Sequence, residues 1–297
     1  MTTLMQTMKP TFNRRALATH AMRAAIATRA QAKLDQHSPV CIYGLCEKLG
    51  VTVRFNDINM EGMYQHGSPP RIHLSARRPL QRRAFSCAHE LGHHVFGHGS
   101  SIDELREDAK QHPWEDSKEF MADTFAGFTL MPIIGLRQAF ATRGWMPETA
   151  TALQMFTIAC HFGVGYGTLL THLSAGVNVI SFSRAAALRR TTPKALRADI
   201  LGALTPEPLI VADRHRVGPI LDAEVKMLLC LPPGTETTGS SLSFERNLPC
   251  GRLFRTVRAG IVQARTVSGS WATFVRVAPE AYAGLARYRH LEDDPDE

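Results

Sequence analysis

The chain has 297 residues, 44% of them hydrophobic, which is enough for one large or two medium globular domains. No apolar run approaches the roughly 18 residues that span a bilayer, so we expect no transmembrane helix and no membrane partner. The formal net charge of +7 would be higher without the acidic tail at residues 292–297, and this basic excess suits an anionic partner and a solvated basic surface equally well.

The cysteines are scattered along the chain and form neither a C-x-x-C pair nor a dense framework. Because no secretory signal is recognisable either, we expect reduced thiols and a cytoplasmic location. The cysteines are Cys41, Cys46, Cys87, Cys160, Cys230 and Cys250.

The first predicted element is an alanine-rich helix over residues 13–36, capped by Asn13. Its basic, acid-free start is also compatible with an organelle transit peptide, the weaker alternative because no cleavage-like break follows. A helix at 40–49 and strands at 51–55, 62–65 and 71–74 come next. They predict a small sheet whose edge could bind an extended peptide by strand addition.

The most informative stretch is His89-Glu90-Leu91-Gly92-His93, an H-E-x-x-H motif inside an apolar helical pattern. Residues i and i+4 of an α-helix share a face, so His89 and His93 can bind one zinc ion while Glu90 borders the same space as a catalytic base. Gly92 costs about 1 kcal/mol relative to alanine inside a helix. We therefore expect another backbone, or a substrate, to approach closely there.

A catalytic zinc site needs a third protein donor from outside the motif. Glu119 is the best candidate, because it lies in a second helical pattern over residues 114–126 and shares a face with Asp123, which could accept the other ring N–H of a ligating histidine. Solvated helix carboxylates are the opposing interpretation of this pair. His94, off the ligand face, and His98, beyond the helix end, are predicted to be structural or surface residues. Competing donors in a polar surface loop over residues 100–117 are Asp103, Glu104, Glu107, Asp108, Glu115 and Asp116.

Several stretches together resemble the ImmA/IrrE family of metallo-endopeptidases, over most of residues 13–175. They are PVCIYGLCEKLGVTV at 39–53, Gly62-Met63-Tyr64, the H-E-x-x-H helix with the Arg82-Arg83-Ala84-Phe85 before it, and E-x-x-A-D-x-F-A at 119–126, ending in Leu-Met-Pro at 130–132.

The resemblance implies a gluzincin-type zinc peptidase with an α+β, zincin-like fold. Carried over by position, His89, His93 and Glu119 would bind zinc, Glu90 would be the general base and Asp123 would hold a ligating histidine. The implied substrate is a helix-turn-helix transcriptional repressor, cleaved as part of transcription regulation in a stress response. An oxyanion also needs a donor besides zinc, and the preceding sheet offers Tyr64, His66 and His73 without a choice among them.

Helical patterns at 133–143 and 147–160 follow, and then residues 162–173 resemble the helix-turn-helix-like element of the same family. Gly165 stands where serine is usual and weakens the helix N-cap, so a structural helical pair is favoured over DNA reading. Residues 185–201 form a further helical pattern, broken at Thr192-Pro193.

Strand-like runs at 209–211, 225–231, 253–257, 261–262 and 271–277 predict a small β-rich C-terminal domain. Arginines without an intervening acid suggest weak contact with nucleic acid or another anionic ligand, and a basic outer face is the alternative. These arginines are Arg252, Arg255, Arg258, Arg265 and Arg276.

The predicted domains are an N-terminal helical segment (1–38), a zincin-like metallopeptidase domain (39–145), a helical segment (146–205) and a β-rich domain with the acidic tail (206–297). The leading hypothesis is a zinc-dependent endopeptidase that cleaves a repressor. The alternative is a regulatory module that senses or binds protein or DNA, with a retained metal site and no proteolysis.

Overall fold

Helices and several β-sheets build the chain, and this α+β arrangement confirms the predicted class. The computed structural model describes residues 12–103, 116–216 and 220–291, to which all bounds refer, and the acidic tail lies outside them. The helices are α1 (Arg14–Gln31), α2 (Ile42–Lys48), α3 (Leu80–Val95), α4 (Ser117–Leu130), α5 (Ile133–Ala141), α6 (Ala152–Phe162), α7 (Tyr166–Thr171), α8 (Phe182–Arg189) and α9 (Pro193–Leu201). The strands are β1 (Thr52–Asn56), β2 (Gly62–Gln65), β3 (Arg71–Ser75), β4 (Ser101–Asp103), β5 (Leu209–Val211), β6 (Ile220–Glu224), β7 (Leu228–Leu231), β8 (Thr235–Thr237), β9 (Leu242–Leu248), β10 (Gly251–Thr256), β11 (Gly260–Thr266), β12 (Ala272–Ala278) and β13 (Gly284–Leu285).

Helix α1 begins where the sequence predicts, because the Asn13 side chain accepts a hydrogen bond from the Ala16 N–H. It packs against α4, and its buried Arg29 donates to the carbonyl oxygen of Thr129 at the end of α4. The helix ends earlier than predicted, at Gln31, and Lys33 follows with a φ of +56°. Helix α1 is thus packed into the fold through its contacts with α4, as the structural interpretation predicts.

The first sheet has the strand order β13-β1-β3-β2-β4, with β1 parallel to β3 and the other neighbours antiparallel. Its three central strands confirm the predicted sheet before α3. The outer strands β4 and β13 were missed, and β4 corrects part of the predicted loop over residues 100–117. Strands of three and two residues are too short to produce an alternating pattern in the sequence.

Helix α3 lies between this sheet and α4. A Cβ atom at position 92 would lie 3.0 Å from the Ala122 Cα atom and 3.2 Å from Cδ1 of Phe125, so only glycine lets α4 come this close. The expected approach of another backbone at Gly92 is thereby confirmed, and it brings α4 beside the H-E-x-x-H motif.

The helices after α4 form the middle of the chain. Gly163 ends α6 with a φ of +66°, and α7 starts without a side-chain cap at Gly165, as predicted. A π-helical turn, His172–Gly176, continues α7. No single helix within the described ranges is long and apolar enough to cross a membrane, and the bent pair of α4 and α5 meets that criterion by length and composition alone.

Two further sheets follow, with the orders β5-β7-β10-β9 and β6-β12-β11-β8. They confirm the predicted β-rich C-terminal part, although β6, β8 and β9 were missed. Strand β9 is mostly exposed, and the alternation of apolar and polar residues that begins at Leu242 stops at Glu245, so the pattern is too short to predict the strand. Strand β13 pairs with β1 of the first sheet, Arg54 lying opposite Leu285. The partition into domains stays a prediction.

Candidate metal centre

Three polar side chains of α3 are buried between the sheet and α4. His89 and His93 are 5% and 2% exposed and Glu90 is fully buried, although its neighbours Ala88 and Leu91 are apolar. Burying ionisable groups is costly unless they contact one another or a ligand. The face of α3 that lies against the sheet and α4 therefore carries a group of buried ionisable side chains.

The helix α4 brings Glu119 to the two histidines. His89 Nε2 and His93 Nε2 are 3.1 Å apart, and the Glu119 carboxylate oxygens lie 3.4 Å from His89 Nε2 and 3.7 Å from His93 Nε2. Ligands about 2.0–2.1 Å from a tetrahedral zinc ion are about 3.3 Å from one another. Two imidazole nitrogens and one carboxylate oxygen at these separations could hold a metal ion.

Each histidine uses its other ring nitrogen for a second contact. His89 Nδ1 lies 2.8 Å from Asp123 Oδ1, one turn after Glu119 on α4, which fits the role predicted for Asp123. His93 Nδ1 lies 3.0 Å from His98 Nδ1. Burial, together with the nearby His89, lowers the pKa of His93 to about 4, so the ring is uncharged at neutral pH and one of its two nitrogens can bind a metal ion.

The contact of His98 is not predicted by the sequence pattern. Gly97 has a φ of +63°, and the His98 N–H donates to the His93 carbonyl oxygen at 3.0 Å, which is a Schellman turn. The turn folds His98 back onto the side chain of His93. A signal is present in the sequence, since Gly97 directly precedes His98, but a glycine at this place indicates only where the helix ends.

Glu90 faces strand β2. A Cβ atom at position 62 would lie 2.8 Å from Glu90 Oε1, so the absence of a side chain at Gly62 makes room for the carboxylate. The Glu90 side chain thus packs against the backbone of β2 at Gly62.

Two of the three predicted oxyanion donors lie together on the side of the sheet that faces α3. The Tyr64 hydroxyl is 2.8 Å from His94 Nδ1 and 3.5 Å from His66 Nδ1, and burial raises the pKa of Tyr64. His73 alternates to the opposite face, where its ring contacts Asn56 and Gln65. The structure does not bring His73 to the cluster.

Of the competing carboxylates, the structure describes the side chain of Asp116 alone, and it does not join the cluster. Asp116 caps α4, its side chain accepting from the Lys118 N–H at 2.8 Å. Glu104, Glu107, Asp108 and Glu115, and the side chain of Asp103, lie outside the described residues.

A cleft of about 600 Å³ reaches His89 and Asp123 from the side of α6, α7 and α9. Its walls combine apolar side chains such as Phe85 and Phe156 with the charged Arg82 and Arg197. The His89–Asp123 pair is thus beside space that a ligand could enter.

Several of the C-terminal arginines contact other groups of the protein. Arg276 forms two hydrogen bonds with Asp222, at 2.7 and 2.8 Å, and Arg255 pairs with Glu207 and Glu245. Arg252 lies 4.3 Å from the ring centre of Phe244. Three of the five arginines predicted to contact an anion therefore have partners inside the protein.

Comparison with known proteins adds one informative match. Residues 46–174 match the model of the Peptidase M78 family, described as the IrrE N-terminal-like domain, a segment that contains α3 and α4 and agrees with the resemblance seen in the sequence. No curated protein sequence matches. Among solved structures, the chain is similar to a Mycobacterium tuberculosis transcriptional regulator, with 16% identity over 54% of this chain and 46% of that one and a TM-score of 0.34. The chain thus spans less than half of that regulator, and a likeness this distant defines neither fold nor function.

Proposed function

We propose that this chain, which carries an IrrE N-terminal-like domain of the Peptidase M78 family at residues 46–174, is a zinc-dependent endopeptidase with a zincin-like catalytic fold. The observation that carries the proposal is the convergence of His89, His93 and Glu119, with Glu90 buried beside them. The family implies a metallopeptidase and hence a metal ion. The nitrogen and oxygen donors of this cluster are those that catalytic zinc prefers.

The donor atoms fit zinc because three of them come from the protein, which leaves a fourth position for water or substrate. When bound, zinc supplies a Lewis acid that activates water and polarises the scissile carbonyl group. Asp123 accepts the Nδ1–H of His89 and so keeps Nε2 of that ring directed at the metal position.

Glu90 then acts as general base and general acid. Its carboxylate takes a proton from the attacking water and delivers it to the nitrogen of the leaving amine. Gly62 gives the carboxylate the room it needs next to β2. Tyr64, whose raised pKa keeps it protonated at neutral pH, and His66 are the remaining candidates for stabilising the oxyanion.

The proposed substrate is a helix-turn-helix transcriptional repressor in the cytoplasm, and this part of the proposal is supported by the family resemblance alone. The peptide would bind in an extended form along the edge of the first sheet, next to α3, by adding a strand.

The experiment is co-expression of the chain with the repressor encoded beside it, followed by mass spectrometry of repressor fragments. We expect wild type to cleave and Glu90→Gln to lose about 10²–10⁴-fold in rate while it retains its metal. Plasma emission analysis should find about one zinc per chain, lost in His89→Ala. His73→Ala, on the opposite sheet face, is the matched control and should behave like wild type.

A regulatory binding module is the alternative function. It would replace proteolysis as the function if Glu90→Gln kept both the metal and the full biological effect of the wild-type chain. A wild-type protein that binds metal but leaves every candidate repressor intact would lead to the same conclusion.

A further inference from the structure

Two cysteines in the C-terminal part of the chain place their sulfur atoms 3.2 Å apart. Cys230 lies in the centre of the second sheet, on strand β7, and is buried, whereas Cys250 is exposed in the turn between β9 and β10. The pair therefore combines one sulfur that solvent reaches with one that it does not.

Gly251 allows this approach. A Cβ atom at position 251 would lie 2.1 Å from the Leu231 carbonyl oxygen and 3.3 Å from the Cys230 sulfur, and the contact with the carbonyl oxygen is one that no side chain tolerates. Only glycine lets the turn press against β7, and this contact sets the neighbouring Cys250 thiol over Cys230. The pairing of the two sulfurs is thus built into the backbone of the sheet.

The two thiols differ in acidity. The hydrogen bond with Cys230 lowers the pKa of Cys250 to about 7, which favours the thiolate of Cys250 at neutral pH. The same hydrogen bond, together with burial, raises the pKa of Cys230, which stays protonated and donates. An exposed thiolate next to a protonated partner is the arrangement of a reactive cysteine and its resolving cysteine.

We propose that Cys250 is a peroxide-reactive site and that Cys230 resolves it into an intramolecular disulfide. The Cys250 thiolate attacks one peroxide oxygen, the O–O bond breaks, and the displaced hydroxide leaves as water, giving a sulfenic acid. The Cys230 sulfur then attacks the oxidised Cys250 sulfur, and a second water leaves as the S–S bond forms. Both sulfurs are oxidised by one equivalent of peroxide, and a dithiol reverses the reaction.

The chain contains a second thiol pair that serves as a control. Cys46 on α2 and Cys87 on α3 have their sulfur atoms 3.7 Å apart, but both are fully buried, and burial raises the pKa of Cys87. A similar spacing without an exposed thiolate gives peroxide no nucleophile to meet. Comparing the two pairs therefore tests whether a cysteine reacts because its thiolate is exposed or merely because a second sulfur is close.

The test uses the reduced full-length chain, treated with one equivalent of hydrogen peroxide near pH 7.5 and then alkylated under denaturing conditions. Peptide mapping should find a Cys230–Cys250 cross-link with the loss of two hydrogens, removed by dithiothreitol. The other four cysteines should be alkylated, and Cys250 should react at least about tenfold faster than Cys46 or Cys87.

Variants assign the two roles. Cys230→Ser should leave Cys250 as a sulfenic acid that dimedone traps, Cys250→Ser should abolish the fast reaction, and Cys46→Ser should change neither. A cross-link that forms first between Cys46 and Cys87, or a Cys250 that peroxide modifies no faster than the buried thiols, would overturn the proposal. Neither outcome depends on peptidase activity, since all readouts are covalent changes in this chain.

Discussion

The α3–α4 pair and strand β6 both bury polar side chains, but they arrange them in opposite ways. On α3 and α4, His89 Nε2, His93 Nε2 and the Glu119 carboxylate face one another at 3.1–3.7 Å. Imidazole nitrogens and carboxylate oxygens can each donate a lone pair to a cation. A cation placed among them would bind to all three, and a metal ion is the cation that suits them.

Strand β6 instead pairs each acid with a cation of the same protein. Asp222 accepts from Arg276 at 2.7 and 2.8 Å and lies 3.3 Å from Arg289, while Glu224 forms an ion pair with Arg83 at the start of α3. Here the charges neutralise one another, and no ligand is needed for balance. A cluster of buried acceptors therefore indicates a binding site, whereas opposite charges that pair with each other hold two parts of the chain together. We call the ion pairs of β6 with Arg83 and Arg276 the joint.

The largest effect is expected from breaking that joint. Arg83 is 2% exposed, and burial raises the pKa of Glu224 even though Arg83 opposes the shift. Arg83→Met leaves the Glu224 carboxylate, which is only 14% exposed, without its cation, so it must stay charged at a cost or take up a proton. We expect a loss of about 3–5 kcal/mol in the free energy of unfolding, measured by urea denaturation.

Two controls define this result. The double variant Arg83→Met/Glu224→Leu should recover most of the stability, because no charge is then left without a partner. Lys226→Ala, which removes the exposed ion pair with Glu280, should cost at most about 1 kcal/mol. Equal losses from the buried and the exposed pair would remove the distinction between a joint and a surface contact.

His172 sharpens the comparison, because it is buried and, among the residues that the structure describes, belongs to no cluster and contacts no charged side chain. Its Nε2 donates to the Met131 carbonyl oxygen at 3.0 Å, and burial lowers its pKa to about 4. As pH falls from about 6.5 to about 4, the unfolded chain takes up the proton first, so native stability decreases by about 1.4 kcal/mol per pH unit. His172→Asn should lose this part of the slope, with equal slopes for both proteins above pH 7 in urea titrations.

The sequence predicted the cluster but not the joint, and the reason is distance along the chain. His89 with His93, and Glu119 with Asp123, are each four residues apart, so helix geometry aligns each pair, and the family resemblance joined Glu119 to the two histidines. Arg83 and Glu224 are separated by 141 residues, and no local pattern joins them. The contact between His98 and His93 depends on the turn at Gly97, and the sequence does not show how that turn directs the His98 side chain. Strand β4 was missed for a similar reason, since its pairing with β2 supplies the order that three residues cannot specify alone.

The two histidines of the cluster differ in the residue that their Nδ1 atom contacts, and this difference can be tested through metal binding. His89 contacts the carboxylate of Asp123, whereas His93 contacts the neutral ring of His98. Asp123→Ala should weaken metal binding by about 10–100-fold, because a carboxylate orients the ring and raises its basicity. His98→Ala should have a smaller effect, measured by competition with a chromogenic chelator. An equal loss in both variants would show that orientation, and not charge, is what the outer partner provides.

The last comparison concerns how closely α3 and α4 approach. Gly92→Ala places a methyl group 3.0 Å from the Ala122 Cα atom, a backbone atom that cannot move alone, so the helices must separate. We expect a loss of about 1–3 kcal/mol in stability and weaker metal binding, since Glu119 and Asp123 move away together with Ala122. Gly167→Ala is the matched control in α7, where a new Cβ meets nothing within 4 Å. It should stabilise the protein by up to about 1 kcal/mol. A loss of stability without any loss of metal binding would contradict this prediction. It would show that the positions of His89, His93 and Glu119 do not depend on the close contact between α3 and α4.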